Sequence, residues 1–269
     1  MSSHRVIAVC QFAPGTDWQE NLASVRALAE EAVSQGASLV VFPEYSSYFA
    51  ARLGRDYVDA AQPINGPFVS GMADVARELG IHLVAGLVER LETDADHFAN
   101  TLVALAPDGT LAAKYRKLHL YDAFGDTESN WVRAGEIEPP ETFSFGEFTV
   151  GLQTCYDLRF PEVTRRLVDA GTTLVLVPSE WVAGPGKVHH WRTLLTARAI
   201  ENLVYVAAAD HTPPVGVGNS MILDPAGVEL VTIESKTGAA SAPISAARVA
   251  EVRATNPALA LRRFAVTPR

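Results

Sequence analysis

A chain of 269 residues is long enough to bury one sizeable core and lies near the length at which chains divide into domains. With 48% hydrophobic and 20% charged residues it belongs among folded globular proteins, which excludes a disordered chain. A formal charge of −9 without any basic run argues against nucleic acid as the partner, and two cysteines, Cys10 and Cys155, cannot build a disulfide framework. No stretch approaches the roughly 20 apolar residues of a membrane helix. The apolar residues 6–10 are too few for a signal-peptide core. The expectation is a soluble protein of a reducing, cytoplasmic compartment that binds neither nucleic acid nor membrane.

Residues 5–12 alternate in polarity and read as a strand. Asp17 then caps a helix, with Glu20 three residues on as the return half of a capping box, and Gly36 ends it. Leu22, Val25, Leu28, Ala29, Ala32 and Val33 give this helix one apolar face. Residues 38–42 form a continuous apolar run, as a strand covered on both faces requires. A second helix spans 67–79 and stops at Gly80. Strands follow at 81–88, 99–106 and 110–116, the last two joined by a Pro107-Asp108-Gly109 turn. The acidic, unpatterned residues 122–141 read as a long loop, and long loops in compact domains tend to carry function. The second half continues with a strand at 148–154, a helix at 161–170, a buried strand at 174–178 and a helix at 189–202. Strands at 203–209, 218–224 and 229–233 come next, the last pair linked by the turn 224–227. From Ser235 onward the chain is alanine-rich and weakly patterned apart from a helix at 247–253; it either crosses a dimer interface or drapes over the core. No linker or repeat interrupts this alternation, so residues 1–269 read as a single α/β domain.

Three reactive residues share one local position: Glu44, Lys117 and Cys155 each follow an apolar run, where a strand ends and a loop begins. In α/β sheets such strand ends converge on the ligand crevice. A thiol with an ordinary pKa of about 8.5 is mostly neutral at pH 7 and needs a base, which a desolvated Glu44 could supply. Lys117 would stabilise a developing oxyanion. Such a site needs no histidine as base.

The segments FPEYSSY at 42–48, YRKLHLYDAFGD at 115–126 and TCYDLRFPE at 154–162 resemble the three signature segments of the nitrilase superfamily of carbon–nitrogen hydrolases. WRTLLTARAIENLVYV at 191–206 and GNSMILDPAG at 218–227 extend the resemblance over nearly the whole chain, in the family's order. The resemblance implies a four-layer αββα sandwich assembled as a homodimer or higher homo-oligomer. It implies Glu44 as general base, Lys117 as oxyanion stabiliser, Cys155 as nucleophile, the Tyr156 N–H as second oxyanion donor and Glu128 as a second glutamate of the site. It also implies a cycle through a cysteine thioester that needs no metal and no organic cofactor. CYDLRFPE is similar to the amidase branch acting on ω-amides such as 2-oxoglutaramate and deaminated glutathione, which implies a small, carboxylate-bearing amide substrate. True nitrilases carry Trp-Glu after the cysteine, where this chain has Tyr156-Asp157. Hydrolysis of N-carbamoyl compounds and a catalytically silent scaffold are the alternatives. Tyr48, Trp181 and Glu180 are expected as pocket walls from their positions after the motifs.

Other residues have plainer readings. Cys10 is mid-strand packing. Lys114 and Arg116 are the solvated neighbours of Lys117. Asp157 and Arg159 form a structural pair beside the nucleophile, and His119 is structural. His189 and His190 diverge by about 100° on a helix and do not share a metal ion.

Overall fold

The computed structural model describes residues 4–268; the expected domain's residues 1–3 and 269 lie outside them. Among the described residues, twelve strands form two six-stranded sheets. The first sheet contains β1 (Arg5–Gln11), β2 (Leu39–Val41), β3 (His82–Arg90), β4 (Phe98–Leu105) and β5 (Leu111–Arg116). The second contains β6 (Thr142–Phe145), β7 (Phe148–Leu152), β8 (Leu174–Pro178), β9 (Tyr205–Ala209), β10 (Ser220–Leu223) and β11 (Glu229–Ile233). The last strand, β12 (Gly238–Ile244), returns to the first sheet and pairs antiparallel with β1, giving the orders β12-β1-β2-β3-β4-β5 and β11-β10-β9-β8-β7-β6. Each sheet has a parallel triplet, β1-β2-β3 or β7-β8-β9, flanked by antiparallel strands.

Strand alternation builds the layers. Ile7, Val9, Leu39 and Val41 point from the first sheet onto Val150, Leu152, Leu174 and Leu176 of the second, making a sheet-on-sheet core. Their neighbours Ala8, Cys10, Val40 and Phe42 point outward onto α1 (Trp18–Ser34) and, beyond α2 (Arg55–Ala60), onto α3 (Pro67–Leu79). Val175, Val177, Val206 and Ala208 meet α4 (Pro161–Asp169) and α5 (Lys187–Asn202). The result is the expected αββα sandwich. A short helix, α6 (Ala246–Thr255), follows β12. Among the described residues no helix is long and apolar enough to cross a membrane.

Several boundaries differ from expectation. Asp17 caps α1 by accepting from the Gln19 and Glu20 amides, whereas the reciprocal capping box belongs to Thr154 and Asp157. The strand expected over 148–154 ends at Leu152, because Thr154 already caps the 3-10 turn Cys155–Arg159. β12 lies inside the segment that reads as weakly patterned. Its small residues GAASAPI have little strand propensity, and the open edge of β1 supplies the order.

Candidate active site

The two central parallel strands end in similar sequences, Pro43-Glu44 beyond β2 and Pro178-Ser179-Glu180 from the last residue of β8 onward, and these ends meet across the sandwich. The Glu44 Oε2 atom accepts the Glu180 N–H at 2.7 Å, while its Oε1 accepts Asn100 Nδ2 at 2.6 Å and Lys117 Nζ at 3.0 Å. Glu44 is wholly buried, and two close approaches hold its backbone. His211 Nε2 donates to the Glu44 carbonyl at 2.8 Å. Gly86 of β3 lies so near that a Cβ there would stand 2.4 Å from Tyr45 N and 2.7 Å from Glu44 Cα.

Lys117 follows β5 and is equally buried. Its ammonium also donates to Glu128 Oε1 at 3.0 Å. Glu128 enters from a 3-10 turn, Glu128–Asn130, inside the long loop and accepts Tyr45 Oη at 2.7 Å and the Tyr121 N–H. Glu128 therefore stands with Glu44 and Lys117. An ammonium has three donors, and with two given to these carboxylates one is left for a substrate.

Cys155 occupies the first position of its 3-10 turn with φ +44°, a left-handed conformation that costs a non-glycine residue of order 1–3 kcal/mol. The turn's capping box and the bond from Thr154 Oγ1 to the Pro178 carbonyl hold it there. The thiol lies 3.3 Å from the Glu180 carbonyl oxygen. The Tyr156 N–H sits in the first turn, where amides lack acceptors within the helix.

The electrostatics follow from burial. Desolvation raises the Glu44 carboxyl above its ordinary range, opposed by Lys117, reinforced by Glu128 and opposed again by the Asn100 and Glu180 donors. Burial also pushes the Cys155 thiol well up; Glu44 adds to that and Lys117 counters it. Burial pulls Lys117 down, yet Glu128 and Glu44 together hold it well above its usual value. Desolvation, then Glu44 and Asp210, drives the Glu180 carboxyl well up.

These groups open into a cavity of about 610 Å³, which also takes in Tyr45, Tyr121, Tyr156, Arg159, Glu180 and Trp181. That volume suits a small organic ligand. Among the described residues no group of three or more His, Cys, Asp or Glu side chains could hold a metal ion.

Some expectations are corrected. Tyr48 does not line the cavity: its hydroxyl donates to Asp56 at 2.9 Å and its ring packs on Tyr57, whereas Tyr45, three residues earlier with φ +56°, turns inward. Asp157 and Arg159 do not pair. Asp157 instead accepts Tyr115 Oη, the His119 N–H and His119 Nδ1, tying the cysteine turn to the loop after Lys117. Arg159 lies over the Trp181 ring at 4.8 Å and faces the cavity. Arg116 forms an ion pair with the buried Glu89. Asn100, Gly86 and His211 escape sequence reading. Asn100 lies mid-strand, and only its burial beside two carboxylates reveals its part.

The chain matches the carbon-nitrogen hydrolase family over residues 6–254. Deaminated glutathione amidase of Escherichia coli O157:H7 is 37% identical over 267 residues, covering 97% of this chain and 98% of that protein. Omega-amidase NIT2 of Homo sapiens is 31% identical over 272 residues, covering 98% and 96% respectively. Among solved structures, a mutant amidase of Nesterenkonia sp. AN1 superposes with a TM-score of 0.77 at 29% identity, covering 97% of this chain and 98% of that one. Its active-site cysteine carries the acetamide moiety of fluoroacetamide.

Proposed function

Because this chain belongs to the carbon–nitrogen hydrolase family, we propose that it is an amidase converting a small, carboxylate-bearing amide to acid and ammonia through a thioester on Cys155. The observation that carries the reading is the buried Glu44–Lys117–Glu128 cluster opening into the same cavity as Cys155.

Attack begins from the neutral thiol. Glu44 takes the Cys155 proton as sulfur bonds to the amide carbon. The remaining N–H of Lys117 and the Tyr156 N–H receive the oxyanion, a task in which one donor is worth about 3 kcal/mol. Protonated Glu44 then gives its proton to the leaving nitrogen, the C–N bond breaks, ammonia departs and the thioester remains. Water attacks the thioester with Glu44 again as base. The C–S bond breaks, and the thiolate recovers a proton from Glu44. Glu128 shares Lys117 with Glu44, which keeps the lysine charged and aimed. The same proposal includes a cytoplasmic location and a homodimer or higher homo-oligomer; sedimentation would test the assembly, and cell fractionation the location.

The test is ammonia release from 2-oxoglutaramate, deaminated glutathione, aliphatic amides, nitriles and N-carbamoyl amino acids, with Cys155→Ala alongside. Turnover of an ω-amide, absent in the variant, and capture of the acyl group as a hydroxamate by hydroxylamine are the expected results. Full hydrolysis by Cys155→Ala would refute the mechanism, and carbon dioxide released with ammonia would indicate the N-carbamoyl reaction.

A further inference from the structure

Glu180 touches Glu44 and Cys155 through its backbone alone. Its N–H donates to Glu44 Oε2 at 2.7 Å, and its carbonyl accepts the Cys155 thiol at 3.3 Å. The next amide, the Trp181 N–H, is given to the buried Asp210 at 2.7 Å, so this stretch of chain is fixed on both sides. The side chain is left over. It is partly buried, lines the cavity, and makes no hydrogen bond or ion pair with any described residue. A charge on it would be felt at Cys155, Tyr57 and Tyr121, which come from three different elements and line the same cavity.

Hydrolysis of a thioester makes a demand that its formation does not. The attacking thiol is held by the chain, whereas the attacking water must be held by hydrogen bonds, and an ordered water needs at least two polar partners. A carboxylate has about four lone-pair sites. On Glu44, Oε1 gives two to Asn100 and Lys117 and Oε2 gives one to the Glu180 N–H, which leaves one on Oε2, next to residue 180. A water bound there has one hydrogen on Glu44 and needs an acceptor for the other. The hydroxyls of Tyr45 and Tyr57 are committed, to Glu128 and to the Ala50 carbonyl. Asp126, another acid of the cavity, is exposed. Glu180 hangs its free carboxyl from the residue that touches both base and sulfur. Burial, then Glu44 and Asp210, holds that carboxyl well above the carboxylate range, so its carbonyl oxygen accepts without a second negative charge beside Glu44.

We propose that Glu180 positions the water that hydrolyses the acyl-enzyme, accepting one of its hydrogens while the other passes to Glu44. The water oxygen bonds to the thioester carbon, Glu44 takes its proton, the C–S bond breaks and the sulfur recovers that proton from Glu44. Glu180 keeps its own proton throughout. The inference rests on the thioester reading above and adds to it the residue that sets the rate of its second half.

The experiment uses 4-nitrophenyl acetate, whose leaving group needs no protonation, so that hydrolysis of the acyl-enzyme limits turnover. Release of 4-nitrophenolate is followed by stopped flow, and the acetylated protein by intact mass, in the wild type, Glu180→Leu, Glu180→Gln and Cys155→Ala. Glu180→Leu should keep a full burst while its steady-state kcat falls about 10- to 100-fold, as loss of one hydrogen bond in the transition state predicts. KM should fall with it, leaving kcat/KM, which ends at acylation, within about twofold of wild type, and the acetyl-enzyme should accumulate. Glu180→Gln, whose carboxamide oxygen still accepts, should recover most of the loss. A Glu180→Leu protein that deacylates at the wild-type rate, or that loses kcat/KM as much as kcat, would overturn the water site and leave the amidase reading standing. A Glu180→Gln protein no faster than Glu180→Leu would also overturn it. A burst that survives in Cys155→Ala would refute the thioester and the water site together. Deacylation that depends on Glu180 in a protein that hydrolyses no amide would sustain the water site and refute the amidase reading. Melting temperatures control for folding, and if Glu180→Leu does not fold, Glu180→Ala carries the same comparison.

Discussion

Gly86→Ala adds one carbon, 2.4 Å from Tyr45 N and 2.7 Å from the Glu44 Cα and carbonyl carbon, all of them backbone atoms. Ordinary contact lies beyond about 3.4 Å, so the Pro43–Tyr45 segment or β3 must move by about 1 Å. A shift of that size carries Glu44 Oε2 out of bonding range of the Glu180 N–H, now 2.7 Å away, and Oε1 away from Asn100, now at 2.6 Å. Misplacing a catalytic group by 1 Å costs about 10²-fold in rate. The overpacked strand loses about 1–3 kcal/mol of stability, a fall of several degrees in Tm. The assay is kcat for ammonia release from glutaramate, with Tm and circular dichroism as folding controls. We expect kcat to fall about 100-fold while the sheet signal is kept. A folded Gly86→Ala protein with kcat within about twofold of wild type would refute the claim that this close approach positions the base.

Glu128→Gln removes a negative charge that raises the Glu44 pKa. Because the proposed mechanism needs Glu44 ionised as base, the acid limb of kcat/KM should move to lower pH, and a limb that stays or rises would contradict the coupling. His211 is a neutral donor at working pH, its pKa lowered by burial to about 4, and it should act as a positioning residue through the Glu44 carbonyl. His211→Gln, which can still donate, should keep kcat within a few-fold. His211→Leu should lower kcat about tenfold with KM unchanged. Equal losses in the two variants, or a change confined to KM, would count against that role.

The layers and the reactive residues were legible for different reasons. Residues 38–42 read as a doubly covered strand because an apolar run answers to a local rule, and the Pro107-Asp108-Gly109 hairpin reads from its turn residues. Glu44, Lys117 and Cys155 were found by their common place after strands, and the family resemblance then supplied Glu128. Asn100, Gly86 and His211 were not legible, since each matters through a contact with a residue far away in sequence, and nothing in its own neighbourhood marks it. Arg159 was misread for the same reason. Asp157, two residues away, is the nearby acid, yet it is committed to Tyr115 and His119 across the site. β12 went unread because an edge of β1, and not its own side chains, makes it a strand.

The meeting of Pro43-Glu44 from one sheet with Pro178-Ser179-Glu180 from the other has a practical meaning. Glu44 and Cys155, the proposed base and nucleophile, hang from different halves of the sandwich, joined at the mouth by the Glu180-to-Glu44 bond and by His211 gripping the Glu44 carbonyl. Turnover therefore gauges the seam between the halves more finely than any spectroscopic measure of strand content. A substitution in the seam at Val41 or Leu176 that lets the halves slip by about 1 Å would lower turnover about 100-fold while every strand persists. The seam, far from the solvent-facing helices, is where mutational tolerance should be lowest.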